Sequence, residues 1–150
     1  MLFRSGYPEA TLFTKVRIKK PKLDYFRKLA REAYPLEMQA FLLGHVKSIN
    51  EIEVTDFVYT KDYRTQTREE VSWTAEEYER VKQKAEAEGK IIVGDSHSHP
   101  SWDSVKSPQD HLAQIKDNLI LCGICSVNGK RTRIHFWNLT SSLPLEVYYT

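Results

Sequence analysis

Apolar and polar positions along this chain switch repeatedly between a period of two and a period near 3.6, the alternation that separates strands from helices. Val16-Arg17-Ile18-Lys19 alternates at period two and predicts a half-exposed strand, which Lys19-Lys20-Pro21-Lys22 breaks. Phe26, Leu29, Ala30 and Ala33 recur at helical spacing, and Pro35 closes that helix. The continuous apolar run Ala40 to Gly44 predicts a buried strand, and Ile52, Val54 and Val58 continue the sheet after a turn near Ser48-Ile49-Asn50. Residues 60–72 (TKDYRTQTREEVS) are charged and poorly periodic, so a surface loop is expected there. Thr74-Ala75-Glu76-Glu77 fits a capping box, with Tyr78, Val81 and Ala85 on one helix face and Gly89 as the stop. Ile91 to Gly94 is a short apolar strand leading into His97-Ser98-His99-Pro100, and a second short helix is expected from Ser107 to Asp117. The tail reads as strands at Leu119 to Val127, Thr132 to Asn138 and Leu145 to Tyr149, the first two joined by an Asn128-Gly129 hairpin turn. Helices interleaved with hairpin-linked strands predict an α+β (mixed α/β) class, a largely antiparallel sheet with helices packed on it.

Composition narrows the function classes without choosing among them. The 150 residues suit a single domain spanning 1–150, with 41% hydrophobic and 28% charged side chains. No stretch approaches the ~20 apolar residues that span a bilayer, so no membrane role is expected. A net charge of +2, from 22 basic and 20 acidic residues, argues against nucleic-acid binding by phosphate neutralisation. Two cysteines cannot build a disulfide framework, and residues 1–8 lack the apolar core of a secretory signal. A reducing, cytoplasmic setting is therefore expected. Cys122 and Cys125, three apart on a strand, face opposite sides and are expected as buried core thiols rather than a chelate. Arg17, Lys19, Lys20 and Lys22 read as a solvated edge that discourages strand pairing. His45, His111 and His135 read as surface or satisfied core histidines.

The chemistry concentrates around His97 and His99. Two apart at the end of a buried strand, both leave the same face with Cα atoms roughly 6.5–7 Å apart, near enough for two imidazoles to converge on one ion. An exposed strand end is the other reading of such a pair. Pro100 ends the strand and lets the chain turn over the site. Ser107-Pro108-Gln109-Asp110 is a complete helix start in its own right, with Ser at N-cap, Pro at N1 and an acid at N3. The same cap would aim Asp110 as a third ligand. Two histidines and one carboxylate suit Zn²⁺ and leave a fourth position for water, the catalytic pattern. Such a site acidifies its water to a pKa near ~7 but needs a proton shuttle. Glu37, just before the apolar run, reads by itself as a surface glutamate at a helix-to-strand junction. Trp102 could line a groove for an extended substrate tail or pack in a loop. A nucleoside deaminase is rejected, because no His-x-Glu occurs at 97–101 and Leu121 stands where Pro would precede the cysteine pair.

His97-Ser98-His99-Pro100, followed by Ser107-x-x-Asp110, resembles the JAMM motif of MPN-domain zinc metalloproteases. Pro35-Leu36-Glu37-Met38-Gln39-Ala40-Phe41-Leu42-Leu43-Gly44 is similar to that family's glutamate-bearing segment, and the resemblance extends over residues 24–140. It implies an MPN-type curved, largely antiparallel sheet flanked by helices, with cytidine-deaminase-like layering. It implies one Zn²⁺ per chain, with a catalytic water, on His97, His99 and Asp110. Glu37 then falls in the place of the general base and acid, and Ser107 in that of the oxyanion donor. The implied activity is hydrolysis of a peptide or isopeptide bond, and the small size is closest to stand-alone prokaryotic members. Those are associated with ubiquitin-like or sulfur-carrier proteins ending in Gly-Gly.

The sequence departs from the pattern in front of the first histidine, where Asp95-Ser96 replace the usual apolar or aromatic pair. On the alternation rule a carboxylate at 95 is expected to point away from the ion, unless it serves as an outer acceptor. Only the 60–72 loop offers material to grip a partner. A non-catalytic MPN scaffold is the competing function, disfavoured because scaffolds typically lose motif residues and all five are present here. MPN domains often occur in pairs, which leaves a homodimer open.

Overall fold

A computed structural model describes residues 13–101, 107, 110, 119–139, 141 and 143–150. The alternation at the start folds as β1 (Lys15–Ile18), with Val16 and Ile18 fully buried, and is followed by α1 (Lys20–Ala33), which ends before Pro35. Then come β2 (Gln39–Val46), β3 (Glu51–Tyr59), β4 (Tyr63–Gln66), β5 (Val71–Trp73), α2 (Ala75–Ala87), β6 (Ile91–His99), β7 (Leu121–Asn128), β8 (Arg131–Trp137) and β9 (Glu146–Tyr149). Seven strands form one sheet in the order β8-β7-β6-β2-β3-β1-β9, and β4 pairs with β5 in a separate hairpin. The antiparallel ladders are β2–β3, β2–β6, β7–β8 and β4–β5, and the parallel ones are β6–β7, β1–β3 and β1–β9.

Alternation along β2 assigns the two faces. Met38 and Ala40 turn toward α1 and pack with Phe26, Ala30, Cys125 and Val127. Phe41 and Leu43 turn the other way and pack with Val81 and Ala85 of α2. Each fully buried aromatic or aliphatic side chain here is worth ~1.5–3 kcal/mol, so both helices are held mainly by their apolar stripes. Lys22 on α1 and Lys90 just after α2 both donate to Asp56, tying the two layers at one point of β3. Gly129 takes a positive φ of 62° at the β7–β8 turn, and Gly89 one of 69° beyond α2, conformations a Cβ would strain.

Four expectations are corrected. Residues 60–72 are not an open loop, for they carry most of the β4–β5 hairpin, whose half-buried strands are only four and three residues long, too short to show a hydrophobic period. The basic cluster does not lie on a sheet edge, because β1 sits between β3 and β9. Arg17 instead donates to Glu51 at 2.5 Å and stacks over the Tyr148 ring. The capping box is only half formed. Thr74 Oγ1 accepts from Glu77 N at 3.1 Å, but the Glu77 carboxylate turns away to accept from Lys61 N at 2.6 Å and from Arg80 Nη2 at 2.8 Å. Glu37 is not at the surface but 6% exposed. Of the helix expected over 107–117, Ser107 and Asp110 are described; the rest, with His111, lies outside the described residues. His45 is exposed, and His135 is half-buried, with burial and then Arg133 holding its imidazole below the ordinary value. Among the described residues no helix is long and apolar enough to cross a membrane.

Candidate metal centre

Both histidines lie on β6, whose apolar start threads between β2 and β7 in the middle of the sheet. Period two puts Asp95, His97 and His99 on one face and Gly94, Ser96 and Ser98 on the other. The side chains converge at their tips: His97 Nε2 and His99 Nε2 are 3.2 Å apart. Asp110 closes the set, with Oδ1 at 3.0 Å from His97 Nε2 and Oδ2 at 3.5 Å from His99 Nε2. The helix start aims Asp110, since its N–H donates to Ser107 Oγ at 3.1 Å while Ser107 N–H donates to Asp110 Oδ2 at 2.9 Å. The capping and ligating readings of this segment are thus compatible.

Glu37 enters through the β2–β6 register. Gln39 is opposite His97, and one step further Ser98 N donates to Met38 O while Met38 N donates to Ser98 Oγ, both at 2.9 Å. Continuing that register by one residue brings Glu37 opposite His99. The hairpin holds it there: Glu37 N donates to Thr67 O at 2.8 Å, and Gln66 Nε2 donates to Glu37 O at 3.0 Å.

The electrostatics follow from burial and proximity. Burial pushes the Glu37 carboxyl up to about 7, against the opposing pull of His97 and His99. Burial alone would raise the Asp110 carboxyl too, but its bonds to His97 and His99 hold it well below the usual range. Burial likewise works against charge on His97, and Asp110 and Asp95 outweigh it, so this imidazole stays protonated well above its ordinary value. Two ring nitrogens 3.2 Å apart beside one carboxylate form a set that a shared cation satisfies, and the ligand atoms of His97, His99 and Asp110 all lie within 4.8 Å of one another. Two imidazoles and a carboxylate suit a borderline divalent ion such as Zn²⁺. The donor set therefore fits the implied metal.

Asp95 overturns one expectation. Residue 95 shares parity with 97 and 99, so it points to the same face, and its Oδ2 lies 3.5 Å from His97 Nδ1. Cys122 stands opposite Asp95 in the β6–β7 ladder and joins it and His97 in a second buried group, while Cys125 faces the other way, as expected. The nearness of Cys122 was missed; the parallel pairing that causes it has no local signature. Trp102 lies outside the described residues.

No curated protein matches the sequence significantly. The fold is similar to that of a protein from Desulfitobacterium hafniense, at 17% identity and a TM-score of 0.72, covering 90% of this chain and 92% of that one. A protein from Salinibacter ruber gives 22% and 0.66, covering 89% and 91%. A JAB1/MPN domain protein from Archaeoglobus fulgidus gives 15% and 0.61, covering 91% and 99%. At such identities these likenesses speak for the fold, the curved mixed sheet flanked by helices. Residues 19–140, most of the chain, match the family described as prokaryotic homologs of the JAB domain. By that match the chain belongs to the prokaryotic JAB family, on the MPN fold.

Proposed function

We propose that this chain is a zinc-dependent metallo-isopeptidase or peptidase that cuts the bond after the Gly-Gly tail of a ubiquitin-like or sulfur-carrier protein. The observation that carries the reading is the convergence of His97 Nε2, His99 Nε2 and Asp110, with Glu37 buried and within electrostatic reach of both histidines. His97, His99 and Asp110 would hold the ion. Zinc bound there supplies a Lewis acid and an acidified water. Glu37 accepts a proton on its carboxylate from the attacking water and returns it to the leaving nitrogen, a task suited to a carboxyl near 7. Ser107 Oγ accepts from Asp110 N and keeps its own O–H to donate to the carbonyl oxygen as charge develops. The hairpin fixes the Glu37 backbone through both its N–H and its C=O.

The test uses zinc-loaded protein and small Gly-Gly-tailed proteins joined either to a lysine side chain or to a short peptide. Cleavage of one form is expected. Glu37→Gln should keep one zinc per chain and lose turnover by about 10²–10⁴-fold. A Glu37→Gln protein cutting at the parent rate would remove Glu37 from this role. No cleavage of either form by the parent, with one zinc bound, would favour the non-catalytic scaffold.

A further inference from the structure

His97 belongs to two clusters at once. Its Nε2 faces His99 and Asp110, and its Nδ1 faces Asp95 with Cys122 beside it; in each triad the ligand atoms lie within 4.8 Å of one another. A neutral imidazole carries one N–H and one lone pair, so one ring cannot give both nitrogens to cations without losing its last proton. The two triads therefore have to divide between an ion and a proton.

The surroundings decide the division. Asp95 and His97 are each 6% exposed, and among the described residues Nδ1 makes no hydrogen bond. An N–H left unpaired in so dry a place loses its hydration with no bond in return, which is destabilising. The acidic group facing that nitrogen is Asp95, whose Oδ2 at 3.5 Å is at ion-pair distance but too far for a made hydrogen bond. The other nitrogen is 3.2 Å from a second imidazole nitrogen and 3.0 Å from a carboxylate oxygen that a helix cap aims, contacts closer than the 3.5 Å to Asp95. We propose that Asp95 is a positioning residue, the acceptor for Nδ1–H of His97 that fixes the tautomer offering Nε2 to the metal. The inner Asp95–His97–Cys122 group then holds a proton and not a second ion. This inference rests on the metal-binding half of the proposed function and is independent of catalysis.

The experiment is zinc competition against a chromophoric chelator, with no substrate present, for the parent, Asp95→Ala, Asp95→Asn and Cys122→Ser, all checked for folding by circular dichroism. ¹⁵N spectra of the histidine rings in the zinc-loaded parent supply the second readout. Asp95→Ala should weaken zinc binding about 10–100-fold. Asp95→Asn, which keeps an acceptor oxygen but no charge, should recover part of that loss. Cys122→Ser should stay within threefold of the parent, and His97 should carry its proton on Nδ1. If Asp95→Ala does not fold, the isosteric Asp95→Asn carries the test and must bind more weakly than the parent. Parent-like affinity in the Asp95 variants, or Nδ1 without a proton, overturns the inference. So does an equal loss in Cys122→Ser, which would assign the ion to the inner group. A parent that binds no zinc overturns both this inference and the reading beneath it, whereas Asp95-dependent zinc binding without cleavage supports this inference and removes only the proposed activity.

Discussion

Glu77→Gln tests whether the hairpin over Glu37 is anchored electrostatically. Glu77 is 4% exposed, accepts from Lys61 N and from Arg80, and so pins the chain just before β4. The Arg80 bond outweighs burial and, with the bonds from Lys61 and Asp62, holds the Glu77 carboxyl down at about 2, against 4.5 ordinarily. Each unit is 1.36 kcal/mol, which sets a ceiling of roughly 3 kcal/mol; Arg80 is partly open to water, and screening reduces this to about 2. A depressed folded pKa contributes stability that is present above the unfolded value and lost as pH falls through the folded one. The parent should therefore exceed Glu77→Gln by about 2 kcal/mol at pH 7, roughly 4–8 °C in Tm, with the gap closing between pH 4.5 and pH 2. Urea and thermal unfolding across that range measure it. A gap that is absent at pH 7, or constant from pH 7 to pH 2.5, would refute the charge argument and reduce Glu77 to a packing contact.

Two further outcomes follow from the site and its strand. On the proposed reading, zinc at 100 times its Kd should stabilise the parent by about 2.7 kcal/mol in a thermal-shift assay, reversed by a chelator, and His99→Ala should lose most of that gain; an undiminished shift in His99→Ala would place the ion elsewhere. Gly94→Ala should unfold the protein or cost more than ~2 kcal/mol by denaturant titration, because a Cβ there would stand 2.1 Å from Leu121 O, and an unchanged midpoint would contradict the tight β6–β7 approach.

Local patterns carried most elements. Apolar alternation found β1 and β3, a continuous apolar run found β2, helical spacing found α1 and α2, and Asn128-Gly129 found the β7–β8 hairpin. The β4–β5 hairpin escaped because its strands are four and three residues long and Arg64, Thr65 and Gln66 interrupt any apolar period; its signal was the aromatic pair Tyr63 and Trp73, which stand opposite each other. Glu37 read as surface because its burial comes from distant chain, the hairpin at 66–67 and β6, which no neighbouring residue announces. Parallel ladders are joined by long crossovers, so the approach of Cys122 to Asp95 had no local cue. Asp95 is different in kind: counting by two from His97 already put it on the histidine face.

That parity shows why the segment Gly94-Asp95-Ser96-His97-Ser98-His99 has the form it does. Its odd positions form the site, with Asp95 behind His97 and His99 beside it. Its even positions need to be small, for a packing reason on the opposite face. Gly94 admits the Leu121 backbone, Ser96 Oγ lies 2.8 Å from where a Cβ on Gly123 would stand, and Ser98 Oγ takes the Met38 N–H. A Cβ on Gly94 would stand 2.1 Å from Leu121 O and push β6 off β7, while Ser96 and Ser98 are buried at 0% and 1% exposure. The Ser98 contact also fixes Met38, and with it the position of Glu37 one residue earlier. On the proposed reading, the distance between Glu37 and the two histidines is thus set from the opposite face of the sheet, by side chains that never reach the site.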